Sequence, residues 1–168
     1  MSQSRDMSAG GRLRIVGIDL GERRIGVAIG DPAALTASPF ATLSRGKTVL
    51  DDAAAIAHIA AEQGAAALVV GLPINMDGSE GPQAARTREW AEAVAAATGL
   101  ALRYRDERLT SERAGSRIGK AGRGRSGGPP SPARREAYRA RIDREAAALI
   151  LQDDLDATSV ERGEWRPG

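Results

Sequence analysis

The residues able to carry chemistry in this chain are carboxylates. Its 168 residues include no cysteine and a single histidine, His58. Thiolate nucleophiles, thiolate metal sites and multi-histidine zinc sites are therefore excluded, and a Ser-His-Asp triad has little to stand on. Three acids have a context that goes beyond surface charge. Asp19 closes an apolar run within Gly17-Ile18-Asp19-Leu20-Gly21, where a carboxylate at a strand end beside glycine can meet a ligand, and where its charge is costly unless a cation or donors meet it. The plainer account is an Asx turn shaping a hairpin. Asp106 and Glu107 precede Arg108 at the end of a second candidate strand. Alternation places Glu107 with Arg103 and Arg105, and Asp106 with Leu102 and Tyr104, but parity at a strand end does not choose between the two acids. A surface pair with a neighbouring arginine is the competing account. Asp143 flanks the apolar stripe of the last helix, with Arg139 four residues earlier as an ordinary surface partner. Carboxylates from a first strand, a later strand and a terminal helix would together suit Mg2+ or Mn2+, hard cations that take oxygen ligands and keep waters for chemistry.

The elements that must position these acids follow from the pattern. Residues 13–19 carry apolar side chains at both parities, as a strand covered on both faces does. A short glycine-containing turn leads to a second strand over 24–30, so the two read as an antiparallel hairpin, with a weaker third strand near 40–43. An alanine-rich helix is expected over 49–63 and stops at Gly64; His58 falls on its wetter face with Asp51, Ala55 and Glu62. A buried strand follows at 67–71. A second helix spans 82–98, with Trp90 and Val94 as core pairing, and ends at Gly99. A strand at 100–107 precedes a brief helix after Thr110, and a long helix runs over 134–155 with Ile142, Ala146, Leu149 and Ile150 on one stripe. The fold class expected is α/β, a mixed sheet with helices on it, in one domain over 13–157. Residues 1–12 read as a disordered lead and 158–168 as a tail.

Two segments look built for a polyanion. Residues 103–145 hold 13 basic and 6 acidic side chains, nearly all the bases being arginine, inside a chain of net charge +2. Arginine pairs with phosphate through a bidentate fork. Within that zone, residues 115–135 contain six glycines, three prolines and six bases without an acid, a composition that predicts a mobile basic loop (115–133) with Arg117, Arg123 and Arg125 as nucleic-acid contacts. The loop over 71–82, GLPINMDGSEGP, is longer and more specialised than a connector needs, and free amides at the following helix start, with Asn75 and Ser79 nearby, could hold a phosphate. No run approaches the ~18 consecutive apolar residues of a membrane span.

The strings GIDLGERRIGVAIGD, GLPINMDGSEGP, DERLTSERA and IDREAAALILQDDL resemble, in order, the motifs of the YqgF family, also called RuvX or RuvC-like. The resemblance implies a ribonuclease H-like fold with a five-stranded mixed sheet and a cytoplasmic nuclease that processes the 5′ end of pre-16S rRNA in ribosome biogenesis. A Holliday junction resolvase acting on branched DNA is the alternative, and a non-catalytic nucleic-acid-binding module a third. It also implies that Asp19, Glu107 and Asp143 are the catalytic, metal-binding carboxylates, Glu107 being the acid of the DER motif. Arg24 and Arg108 are the expected phosphate contacts. Partners are nucleic acid, precursor rRNA or branched DNA, with a homodimer left open and no membrane. The chain departs from the pattern in three places. It has Arg23 where lysine is usual and Thr110-Ser111 where two threonines are, and its fourth strand ends Val70-Gly71 without the acid that related resolvases carry. Sugar-kinase-like ATPases also open with a GIDLG strand, but they use two such domains.

Overall fold

A computed structural model describes residues 13–108, 110–119 and 127–161. Nine elements occur among them: β1 (Arg14–Leu20), β2 (Arg24–Asp31), β3 (Thr36–Ser44), α1 (Val49–Gln63), β4 (Ala65–Leu72), α2 (Pro82–Thr98), β5 (Ala101–Asp106), α3 (Thr110–Ile118) and α4 (Pro132–Glu161). The strands form one sheet in the order β3-β2-β1-β4-β5. The hairpin pairs are antiparallel, while β1–β4 and β4–β5 are parallel. This is the five-stranded mixed sheet with flanking helices that the sequence resemblance implied.

β1 sits at the centre, and its two parities feed two cores. Val16 and Ile18 join Ile25, Val27, Leu68 and Val70 under α1 and α2, whose Ile56, Trp90 and Val94 close that layer. Ile15 joins Ala28 and Val69 on the other face under Ala147, Ile150 and Leu151 of α4. Apolar residues at both parities are thus explained: each face of the strand has a helical layer over it. A capping box at Thr48 and Asp51 starts α1, Pro82 opens α2, and Gly64 and Gly99 end them. Buried Asp52 ties the α1–α2 layer together, accepting from Trp90 Nε1 at 3.0 Å and from the Gly46 amide at 2.7 Å. His58 lies on the outside of α1 beside Glu62.

Several boundaries differ from expectation. β3 runs over Thr36–Ser44 rather than 40–43; it is an exposed edge strand carrying Pro39, so pairing with β2 and not apolar alternation defines it. The segment expected as a loop over 115–135 is helical at both ends. α3 continues to Ile118 because Ala114 packs on Ala146 and Leu149 of α4, and α4 begins at Pro132, which suits a first helical turn. Lys120, Arg123 and Arg125 lie outside the described residues, as does the lead at 1–12. α4 passes Leu155 and runs to Glu161, with Ser159 still buried. Among the described residues no helix is long and apolar enough to cross a membrane.

Candidate active site

Strand register delivers the first carboxylate. Asp19 is two residues beyond Gly17 on β1, hence on the α4 face, and is paired across from Gly26 of β2. A Cβ at Gly26 would collide with the backbone oxygen of Asp143. Only glycine lets α4 touch the sheet there, and that contact sets Asp143 above the end of β1. The acid of β5 arrives from the other side. Arg103 and Arg105 point to the α4 face, and the Glu107 amide donates to Leu72 O at 3.0 Å, so the strand register continues past Asp106 and brings Glu107 to the same face. Gly71 leaves room for it; a Cβ there would stand 2.8 Å from Glu107 Oε2 and 2.5 Å from Ile150 Cδ1.

Asp19, Glu107 and Asp143 line one cavity of about 390 Å3, together with Arg108 and with Pro73, Ile74 and Met76 of the loop after β4. Burial is the main force on both strand-end acids. It pushes Glu107 up to about 9, with the Asp19 charge, a hydrogen bond to Asp19 and the Asp106 charge adding to the rise. Asp19 is raised by burial as well; the hydrogen bond from Glu107 works against this rise, and the charge of Asp143 adds to it. Glu107 thus keeps a proton and donates it to Asp19. Asp143 has a different partner: Arg24 Nε donates to its Oδ2 at 2.6 Å, and Arg24 Nη1 to Glu136 Oε1 at 3.1 Å. With two acids bonded to each other and the third to arginine, no group of three His, Cys, Asp or Glu among the described residues closes on a common point.

The donor set nonetheless suits a hard divalent cation. Three carboxylates face one cavity, and burial, with their mutual charge, raises the carboxyls of Asp19 and Glu107 above their ordinary values. Asp106, by contrast, is exposed; its Oδ1 accepts from the Arg108 amide at 2.8 Å and its Oδ2 from Arg108 Nε at 2.7 Å. The two acids that parity left open are separated by geometry.

Of the other expected contacts, Arg24 and Arg108 stand at the site. Arg24 binds Asp143, and Arg108 lines the cavity and reaches Met76 O at 3.4 Å. Asn75 and Ser79 are not in the lining. Asn75 Nδ2 donates to Ser79 Oγ at 3.0 Å, and Ser79 Oγ to Asp77 Oδ1 at 2.6 Å, so both are used to knot their own loop, which offers Pro73, Ile74 and Met76 instead. Arg117 pairs with Glu145 at 2.9 Å on the α3–α4 side, away from the cavity lining. Sequence reasoning passed over Glu136, which holds the far side of Arg24, and Gln83, which lines the cavity from the first turn of α2. The position of Gln83 just after Pro82, beside the glycine-rich loop, was the available signal.

A family model described as "RuvX: Holliday junction resolvase" matches residues 13–157. A "Putative pre-16S rRNA nuclease" of Acidiphilium cryptum is 40% identical over 151 residues, covering 90% of this chain and 89% of that protein. A protein of the same name from Nitrobacter hamburgensis is 44% identical over 148 residues, covering 88% of this chain and 84% of its own length. Among solved structures, Thermus thermophilus RuvC in complex with Holliday junction substrate aligns with 93% of this chain and 99% of its own, at 16% identity and a TM-score of 0.48.

Proposed function

The chain belongs to the RuvX family, which makes it a nuclease, and we propose that it is a metal-dependent one that processes the 5′ end of pre-16S rRNA in the cytoplasm. The observation that carries the metal reading is the Asp19–Glu107 pair. Two carboxylates are packed against each other in a cavity, and among the described residues neither is paired with a cationic side chain. Such a pair is costly to the fold by itself, and a bound cation would relieve it. Asp19, Glu107 and Asp143 would hold Mg2+ or Mn2+, which when bound activates a water and neutralises charge on the leaving oxygen. The protein's own part is orientation. Arg108 at the cavity and Arg24 beside it present guanidinium groups to the phosphates, and Pro73, Ile74 and Met76 of the loop after β4 line the same cavity. The substrate reading rests on the names of the relatives, which point to precursor rRNA; the family description favours branched DNA as the second reading.

Cleavage of precursor 16S rRNA and of a four-way DNA junction, side by side with Mg2+, Mn2+ or chelator, tests all three parts. Metal-dependent cutting of the rRNA with little on the junction is expected. Preference for the junction would replace the substrate. Binding without cleavage in every metal would leave a non-catalytic module, and cleavage in chelator would remove the metal.

A further inference from the structure

Arg24 lines one hollow and binds a carboxylate that lines another. The second is the carboxylate cavity, with Asp143 in its lining. The first is a groove of about 690 Å3 lined by Glu22, Arg23, Arg24, Ser44, Glu136 and Arg139. The guanidinium bridges the two, with Asp143 at 2.6 Å and Glu136 at 3.1 Å. Its two carboxylates are not equivalent: the Asp143 side chain is 22% exposed and that of Glu136 59%. Held this way, Asp143 already has a counterion, which the Asp19–Glu107 pair lacks among the described residues.

We propose that Arg24 is an exchangeable positioning residue. In the free protein it withholds Asp143 from the cation site, and it releases Asp143 when a substrate phosphate in the groove takes over the guanidinium. The inference rests on the reading of Asp19, Glu107 and Asp143 as that site. Arginine suits the exchange because its weakly hydrated fork binds carboxylate and phosphate with the same geometry, so one charge-assisted pair replaces another. Glu136, near the solvent, gives Arg24 a second anchor while Asp143 changes partner. Substrate and cation then favour each other by linkage: whichever arrives first lowers the cost of the other. The metal centre completes itself only where a nucleic-acid backbone lies in the groove.

The test titrates Mn2+ alone into the full chain, reading free Mn2+ by electron paramagnetic resonance. Arg24→Gln should bind Mn2+ roughly five- to tenfold more tightly than the native chain, because Asp143 is freed from a half-buried ion pair. Glu136→Gln should shift the affinity the other way, severalfold weaker, because Arg24 loses its fallback. A short phosphorothioate RNA should tighten Mn2+ binding to the native chain and leave Arg24→Gln unmoved. Arg24→Lys keeps the charge but not the fork, and should lie between native and Arg24→Gln. Equal or weaker Mn2+ binding by Arg24→Gln, with binding by the native chain intact, overturns the proposal and leaves the cation site standing. Should Arg24→Gln not fold, Glu136→Gln decides on its own, since that side chain is largely in solvent; an unchanged or tighter affinity overturns the proposal. Absence of Mn2+ binding in the native chain and in every variant overturns the cation site and this proposal together.

Discussion

Helix α4 carries two acids on its sheet-facing side, eleven residues or about three turns apart, and the protein treats them in opposite ways. Asp154 is fully buried and receives three bonds from β5: Arg103 Nη2 at 2.6 Å, Arg103 Nε at 3.3 Å and Arg105 Nε at 2.8 Å. Burial acts to raise its carboxyl, but the two arginines outweigh it and hold the group below its ordinary value. Around Asp143 the balance is reversed. Three carboxylates share one cavity, Arg24 serves only one of them, and the other two are pushed upward. A buried charge that serves only the fold is met by charge in full, because an uncompensated one costs several kcal/mol. A deficit of positive charge that persists in a folded protein marks where something from outside is expected to supply it.

Substitutions should separate the two ends. The largest effect belongs to Glu107→Gln, which should lower the single-turnover cleavage rate by roughly a hundred- to a thousandfold, the scale of losing one preorganised group at a reacting centre. Asp106→Asn, which removes only an exposed partner of Arg108, should stay within a few-fold; the reverse ranking would move the cation ligand to Asp106. Asp154→Asn is next and should act on stability instead, lowering the urea-unfolding free energy by about 2–3 kcal/mol, a buried-pair loss reduced because Arg103 and Arg105 are partly in solvent. If its folded fraction also lost cleavage far beyond that, the two ends would not be distinct in role.

A further test is in pH. A carboxyl raised from an ordinary 4.5 to about 9 by folding contributes stability below the lower value and loses it as pH climbs toward the higher. The thermal midpoint of the metal-free chain should therefore decline between about pH 4.5 and pH 9. Glu107→Gln should flatten that decline, and Mg2+ should reverse part of it at the alkaline end. A midpoint that rises across this window would contradict the shared proton.

Much of this arrangement is legible in the sequence, and the exceptions have physical causes. Apolar side chains at both parities over 13–19 mark a strand covered on both faces, and a period of two places Glu107 with Arg103 and Arg105; both hold. The choice between Asp106 and Glu107 needed the Glu107 amide bonded to Leu72, a long-range contact that no local pattern encodes. Asn75 and Ser79 were expected at a phosphate because of their residue types, but a tight loop satisfies such side chains internally first. Asp154 went unnoticed because its partners lie 49 and 51 residues earlier in the chain. In the sequence it is one more acid in Asp153-Asp154.

Helix α4, at 30 residues, has one further consequence. From Pro132 to Arg141 it is largely in solvent, and continuous burial begins only at Ala146. Few apolar contacts restrain those first turns; Tyr138, whose hydroxyl donates to Gly119 O at 2.7 Å, is one polar tie. Their amides should exchange with solvent at a small opening free energy, while those beyond Ala146 should open only with the whole domain. Asp143 sits on the border between the two regimes, so unwinding from the N-terminal end reaches Glu136 first, then the third carboxylate, and halts at the core. Opening of those turns should therefore loosen the Glu136 anchor of Arg24 before it reaches Asp143, whose backbone sits against Gly26 of the sheet.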